Sequence, residues 1–242
     1  MKKRYLINVF SLLVFFISTS CAEEDVENDN AVVKLFQSID QNDKEMVMDV
    51  VLSDNVGRNT YHPKTGESPL YRALNNGDLE MFIHLLKGRA DPNASSHANG
   101  EDPLGARVIL GKDREEFLEA CLRYGMDPNL KTVLDIESGE KGPIIFIVAS
   151  GDDIGYLTIL LRYGADANVS DPQGRGLLER AVIRHSYRTA WYLVKQEIVE
   201  IEGVRDTDWW RDLKQEDPDD LRPDHEYWRG NLIKLIEDVK ED

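Results

Sequence analysis

The sequence lacks the short motifs that mark common active sites. It has no Gly-x-Ser-x-Gly elbow to expose a serine nucleophile, no Walker phosphate loop and no Gly-x-Gly-x-x-Gly run. Of its five histidines (His62, His84, His97, His185 and His225), none has another at metal-ligand spacing. Asp217-Pro218-Asp219-Asp220 is an acidic turn without the glycine and terminal glutamate of a calcium loop. No catalytic residue, metal or cofactor is therefore assigned, and the chain reads as a binder and not as an enzyme. Positive charge is also scarce, with 29 Lys and Arg against 45 Asp and Glu, a net charge of −16. Phosphate backbones and acidic headgroups repel such a surface, which argues against nucleic acid. A basic protein partner is favoured, because opposite fields speed encounter, although a negative surface also serves solubility alone. Long apolar runs are equally rare. Tyr5 to Ile17 is the one such stretch, behind Lys2, Lys3 and Arg4. Its length fits the ~7–15 residues of a signal-peptide core and falls short of the ~18 needed to span a bilayer.

Small residues Ser18-Thr19-Ser20 follow that run and lead to Cys21. The leader resembles the lipobox of bacterial lipoproteins, though the family prefers Leu where Ser18 stands. The resemblance implies that Cys21 receives a diacylglycerol and becomes the mature N-terminus. Ala22 in place of Asp implies, by the family's sorting rule, a periplasmic protein anchored to the outer membrane. The leader carries three basic residues and no acidic ones, so its removal takes the net charge to −19. With Cys21 acylated, Cys121 is the one thiol remaining, so no disulfide can form within a mature chain and the fold must hold by packing.

Internal similarity organises the rest. Ala90-Asp91-Pro92-Asn93, Met126-Asp127-Pro128-Asn129 and Ala165-Asp166-Ala167-Asn168 each follow an amphipathic stretch whose apolar residues recur at helical steps. Gly125 and Gly164 stand where a helix C-terminus needs a residue at positive φ. The asparagines are 36 and 39 residues apart, a little over the ~33 of an ankyrin repeat. Gly66-Glu67-Ser68-Pro69-Leu70-Tyr71-Arg72-Ala73 resembles the ankyrin G-x-T-P-L-H-x-A start, with Ser68 as a cap, Pro69 at the first helical position and Gly77 in the turn. A degenerate copy begins at Gly174. The resemblance implies an all-α ankyrin-repeat solenoid of about five helix pairs, at about 31–53, 66–88, 102–124, 142–163 and 174–195, with short hairpin-like loops.

The expected domain order is a signal peptide over 1–20, an acidic tether over 21–30, the array over 31–195, and an extension with a capping helix over 196–242. Arg89 stands where the repeat has glycine, and Gly88 is expected to make that turn instead. Leu130 to Gly142 forms a long connection, either projecting or merely solvated. In the tail, a helix is expected from near Asp224, with Tyr227, Trp228, Leu232, Leu235, Ile236 and Val239 along one face, covering the end of the stack. Asp208-Trp209-Trp210-Arg211 precedes it. Ankyrin arrays present loop tips beside a groove, so the resemblance nominates His62, Lys64, His97, Asn99, Glu137, Glu140, Gln173 and Arg175 as partner contacts. Trp209 and Trp210 join them, because tryptophan is enriched at interface hot spots.

The combination of leader, anchor and helix-pair array is similar to the immunity lipoproteins that neutralise phospholipase effectors of type VI secretion. That resemblance implies a periplasmic toxin inhibitor whose partner is a cognate lipase effector. Some bacterial ankyrin proteins instead support a periplasmic enzyme such as a catalase or an envelope stress response, which is the alternative reading.

Overall fold

Val32, Leu35, Phe36 and Ile39 recur at three- and four-residue steps, and all four are buried along α1, residues 30–40. Such stripes recur in most of the described helices. The computed structural model describes residues 30–52, 59–98, 103–111, 113–135, 139–217 and 221–239. The chain divides into two compact units, Met1–Glu101 and Asp102–Asp242.

In the first unit α1 is followed by α2 (Lys44–Leu52), α3 (Pro69–Asn75) and α4 (Leu79–Lys87). Ser68 caps α3 by accepting the Tyr71 N–H at 3.2 Å, and Pro69 occupies the first position, as expected. Asp43 and Asp78 begin the second helix of each pair, accepting the N–H groups of Met46 and Met81 at 3.0 and 2.9 Å. Asn42 (φ 55°) and Gly77 (φ 68°) turn the chain between paired helices. His84 on α4 lies with its Nε2 3.1 Å from the Lys44 carbonyl, tying α4 to α2. Arg89 corrects the sequence reading. Arg89 itself takes φ 68°, while Gly88 stays right-handed at φ −70°. The Ala90 N–H returns to Leu85 at 3.1 Å, which forces the reversal onto the residue just before Ala90.

The second unit contains α5 (Leu104–Ile109), α6 (Glu115–Arg123), β1 (Lys131–Asp135), β2 (Glu140–Pro143), α7 (Ile145–Ser150), α8 (Ile154–Arg162), α9 (Leu177–Ile183), α10 (Tyr187–Lys195), a 3-10 turn (Val204–Asp206), α11 (Asp208–Gln215) and α12 (Pro223–Asp238). Second helices stack in a row, α6 on α8 and α8 on α10, while α7 packs on α9. Leu85 in the first unit and Leu160 here, 2% and 0% exposed, lie in the layers where matching repeat positions put them. Gly125 (φ 99°) and Gly164 (φ 91°) reverse the chain after α6 and α8.

Two segments differ from expectation. The connection after Leu130 is not a free loop: β1 and β2 pair antiparallel, with Lys131 opposite Pro143 and Thr132 opposite Gly142. The β-branched Thr132 and Val133 suit a pleated strand, and Thr132 is buried. In the tail, Asp208–Gln215 forms a helix that no leucine stripe announces. It packs on α9 as α12 packs on α10, so the two continue the rows of first and second helices. Leu232 and Ile236 of α12 are fully buried, and Trp191 meets Trp228 at 5.3 Å between ring centroids. Tyr227, expected on the packed face, is 63% exposed. Arg229 staples the two tail helices, donating from Nε to the Leu213 carbonyl and from Nη2 to the Glu216 carbonyl, both at 2.8 Å. Among the described residues the fold is helical apart from the one two-stranded sheet.

Candidate protein-binding surfaces

An acidic or imidazole side chain at the start of a short loop can accept main-chain N–H groups further along and fix the loop's path. The protein uses this device at several of its described loop tips. Asp91, Asp127 and Asp166 each accept the N–H two residues on, at 2.8 Å in all three cases. The asparagines that end these motifs reach between repeats. In the second unit Asn129 Oδ1 accepts the Asp166 N–H at 2.8 Å, while its Nδ2 donates to the Gly164 carbonyl at 3.4 Å. In the first unit Asn59 Oδ1 accepts the Asp91 N–H at 2.9 Å. Sequence reading overlooked Asn59 because no Asp-Pro precedes it, although it lies 34 residues before Asn93.

In the first unit His62, Lys64 and His97 come together on two paired segments. Ser68 N–H donates to the Ser96 carbonyl and Ala98 N–H to the Gly66 carbonyl, each at 2.8 Å. His62 Nδ1 accepts the N–H groups of Lys64 and Thr65 at 3.3 and 3.2 Å, which leaves the ring proton on Nε2. Its ring stands edge-on to Phe36 at 4.9 Å. His97 lies against Tyr71 at 4.6 Å, its Nδ1 3.1 Å from the Ser96 hydroxyl. Both histidines are half-buried and brace the tip, and Lys64 is the exposed cation they present. Glu67 pairs with Arg72 at 2.6 Å behind it.

Gln173 and Arg175 belong to the second unit and gather around a residue that sequence reading missed. The Asp171 side chain is fully buried, and its carboxylate accepts from the N–H groups of Gln173 and Arg175 at 3.0 and 2.9 Å. It also accepts from Arg175 Nε at 2.7 Å and from buried Arg180 at 3.3 Å. Burial would raise the Asp171 pKa, but the bonds and charge from Arg175 with the Gln173 N–H outweigh it and hold it below the usual value. Arg175 is thus already paired within the chain, and Gln173 is the exposed member of the pair.

The tryptophans separate. Trp210 is 1% exposed, with Lys214 over its ring at 5.2 Å, so it serves packing and gives no contact surface. Successive helical residues point about 100° apart, so one of an adjacent pair turns inward. Trp209 is half-buried and lines a cleft of about 260 Å³ with Val182, Ile183, Tyr187 and Glu216. Ile183 is 43% exposed there. Glu216 holds the rim, accepting the Tyr187 hydroxyl at 2.5 Å and pairing with His185 at 3.2 Å. Cys21, Asn99 and Glu137 lie outside the described residues, and only the backbone of Glu140, at the start of β2, is described.

Braced tips lose little conformational entropy when they engage a partner, which is what a binding module requires. No curated protein matches the chain. Residues 65–97, the segment holding the Ser68 cap, the α3–α4 pair and His97, match the ankyrin repeat family model, which supports the ankyrin-repeat family and with it a protein–protein interaction module.

Proposed function

We propose that this protein is a lipid-anchored periplasmic inhibitor that binds and neutralises a cognate secreted toxin, a phospholipase effector of type VI secretion. The observation that carries the binding part is the braced tip at the start of the matched repeat, where His62 fixes the backbone of exposed Lys64 and His97 packs on Tyr71 beside it. Trp209 at its cleft adds an aromatic anchor in the second unit. The exported and anchored part draws support from the leader that ends at Cys21 and from the resemblance to immunity lipoproteins. An acidic binder tethered at the membrane stands where a lipase must act, and its field favours capture of a basic partner. It acts by occupying the toxin and not by chemistry of its own.

The test is to express, in the periplasm with and without this protein, any phospholipase effector encoded beside its gene. Rescue of growth and co-purification of the pair are expected. Equal killing with no complex overturns the proposal. Cys21→Ser should abolish incorporation of labelled fatty acid and release the protein from membranes, and labelling that survives the substitution rules out the anchor.

A further inference from the structure

The asparagine tie that joins successive loops is left open at one junction. Ile198 occupies the place of Ala165 in the following repeat, since its N–H returns to Leu193 at 2.9 Å as Ala165 returns to Leu160 at 3.0 Å. Val199 therefore corresponds to Asp166, and Asn168 to Asn129. No bond joins Asn168 to Val199, however, and both line a cleft of about 660 Å³. The Asn168 carboxamide is exposed and has no partner among the described residues. Ile198, Ile201 and Leu235 give the cleft an apolar lining, and each is half-buried. Glu197, Glu200 and Glu202 also line it, against a single Lys195. These three carboxylates are exposed or nearly so and form no ion pair among the described residues.

We propose that this cleft receives an extended basic segment of the partner protein, an inference that rests on the protein-binding reading above. The segment's main chain bonds the Asn168 carboxamide as Asp166 and Gly164 bond Asn129, with an N–H on Oδ1 and a carbonyl on Nδ2. Alternate side chains fall to opposite sides of an extended chain. Apolar ones rest on Ile198, Ile201 and Leu235, and Lys or Arg between them meets Glu197, Glu200 and Glu202. Charge complementarity decides for this occupant. An acidic segment meets three like charges here, and a purely apolar one leaves all three carboxylates without counter-charge.

The probe is a fluorescein-labelled seven-residue peptide alternating Lys and Val, titrated into the full chain and followed by anisotropy at two salt concentrations. Saturable binding is expected, with Asn168→Ala weakening it about tenfold through two lost hydrogen bonds. The triple variant Glu197→Gln, Glu200→Gln, Glu202→Gln should weaken it at least as much and flatten its salt dependence. The same peptide N-methylated at its central amide should bind as poorly to the parent as the parent peptide binds to Asn168→Ala. Circular dichroism melts of both variants guard against loss of fold. Binding untouched by Asn168→Ala and by N-methylation means generic attraction of a polycation and overturns the proposal. A concentration-dependent dimer abolished by the same substitutions assigns the cleft to a second copy and also overturns it. The two readings fail separately. A toxin that co-purifies equally with parent and cleft variants refutes the cleft and leaves the binding function standing. Specific peptide binding without toxin neutralisation does the reverse.

Discussion

Removing the Asp171 carboxylate should destabilise the second unit more than any other single loop substitution. Asp171→Ala strips the acceptor from two main-chain N–H groups, those of Gln173 and Arg175. It also leaves Arg180, 5% exposed and with its Nε already unpartnered, as a buried charge without a counter-ion. Breaking a buried ion pair from one side costs about 3–5 kcal/mol. With a urea m-value near ~2 kcal/mol/M, the midpoint should fall by about 1.5–2.5 M at unchanged slope. Asp171→Asn keeps one acceptor and should cost less. Adding Arg180→Met to Asp171→Ala should recover most of the loss, because it removes the stranded charge. The pH dependence has a definite sign. The folded pKa lies below the unfolded one, so the contribution is complete above the unfolded carboxylate pKa and disappears as pH falls through the folded value. The gap between parent and Asp171→Asn should therefore narrow as the solution is acidified below about pH 4. An Asp171→Ala variant within about 1 kcal/mol of the parent at pH 7 refutes the reasoning, since that is the size of an ordinary surface change.

Leu85→Ala and Leu160→Ala should each cost about 2–5 kcal/mol in urea melts, and two parent-like melts would show that these layers are not packed as described. Cys121 is fully buried and its pKa is pushed up to about 12 by desolvation, so its thiol should resist Ellman's reagent at pH 8 until the chain unfolds. The same shift stabilises below the unfolded thiol pKa and is lost above it, at about 1.4 kcal/mol per pH unit from near pH 9 upward. Rapid labelling of the folded protein refutes both statements. Arg89→Gly should raise stability by about 0.5–1 kcal/mol, because Arg89 holds φ 68° where only glycine is unstrained, and an unchanged or lower melting midpoint counts against it.

The helix pairs were legible because apolar stripes recur in them and Asp-x-Asn punctuation closes three of the five, and neither signal depends on distant contacts. The turn at Arg89 was not, because nearness of a glycine is a weaker guide than the return bond of the following N–H. Helix α11 escaped notice for want of apolar residues: Trp210 and Leu213 are its buried pair, too few to show a period in eight residues. The β1–β2 hairpin hid behind Glu, Lys and Gly, residues that read as solvent-facing whether or not the backbone is paired. Among candidate contacts, position in a loop was legible but commitment was not. Arg175 and Gln173 look free in sequence, and only the fold shows Asp171 gathering their main chains and one guanidinium. The tie from Asn129 to Asp166 was likewise invisible, since its partner is an N–H that every residue but proline carries.

That last property has a consequence for how such a chain tolerates insertions. The bond from Asn129 to residue 166 asks nothing of the side chain at 166, which stays available to its own turn with Asn168. Nor does it depend on what lies immediately after Asn129, and the paired strands β1 and β2 follow there without opening the junction. Asp152 ties the other end of the same helix pair in the same manner, accepting the Thr189 N–H at 2.8 Å. Helix pairs anchored at both ends through main-chain groups can accept new sequence in the connection while their stacking register stays fixed.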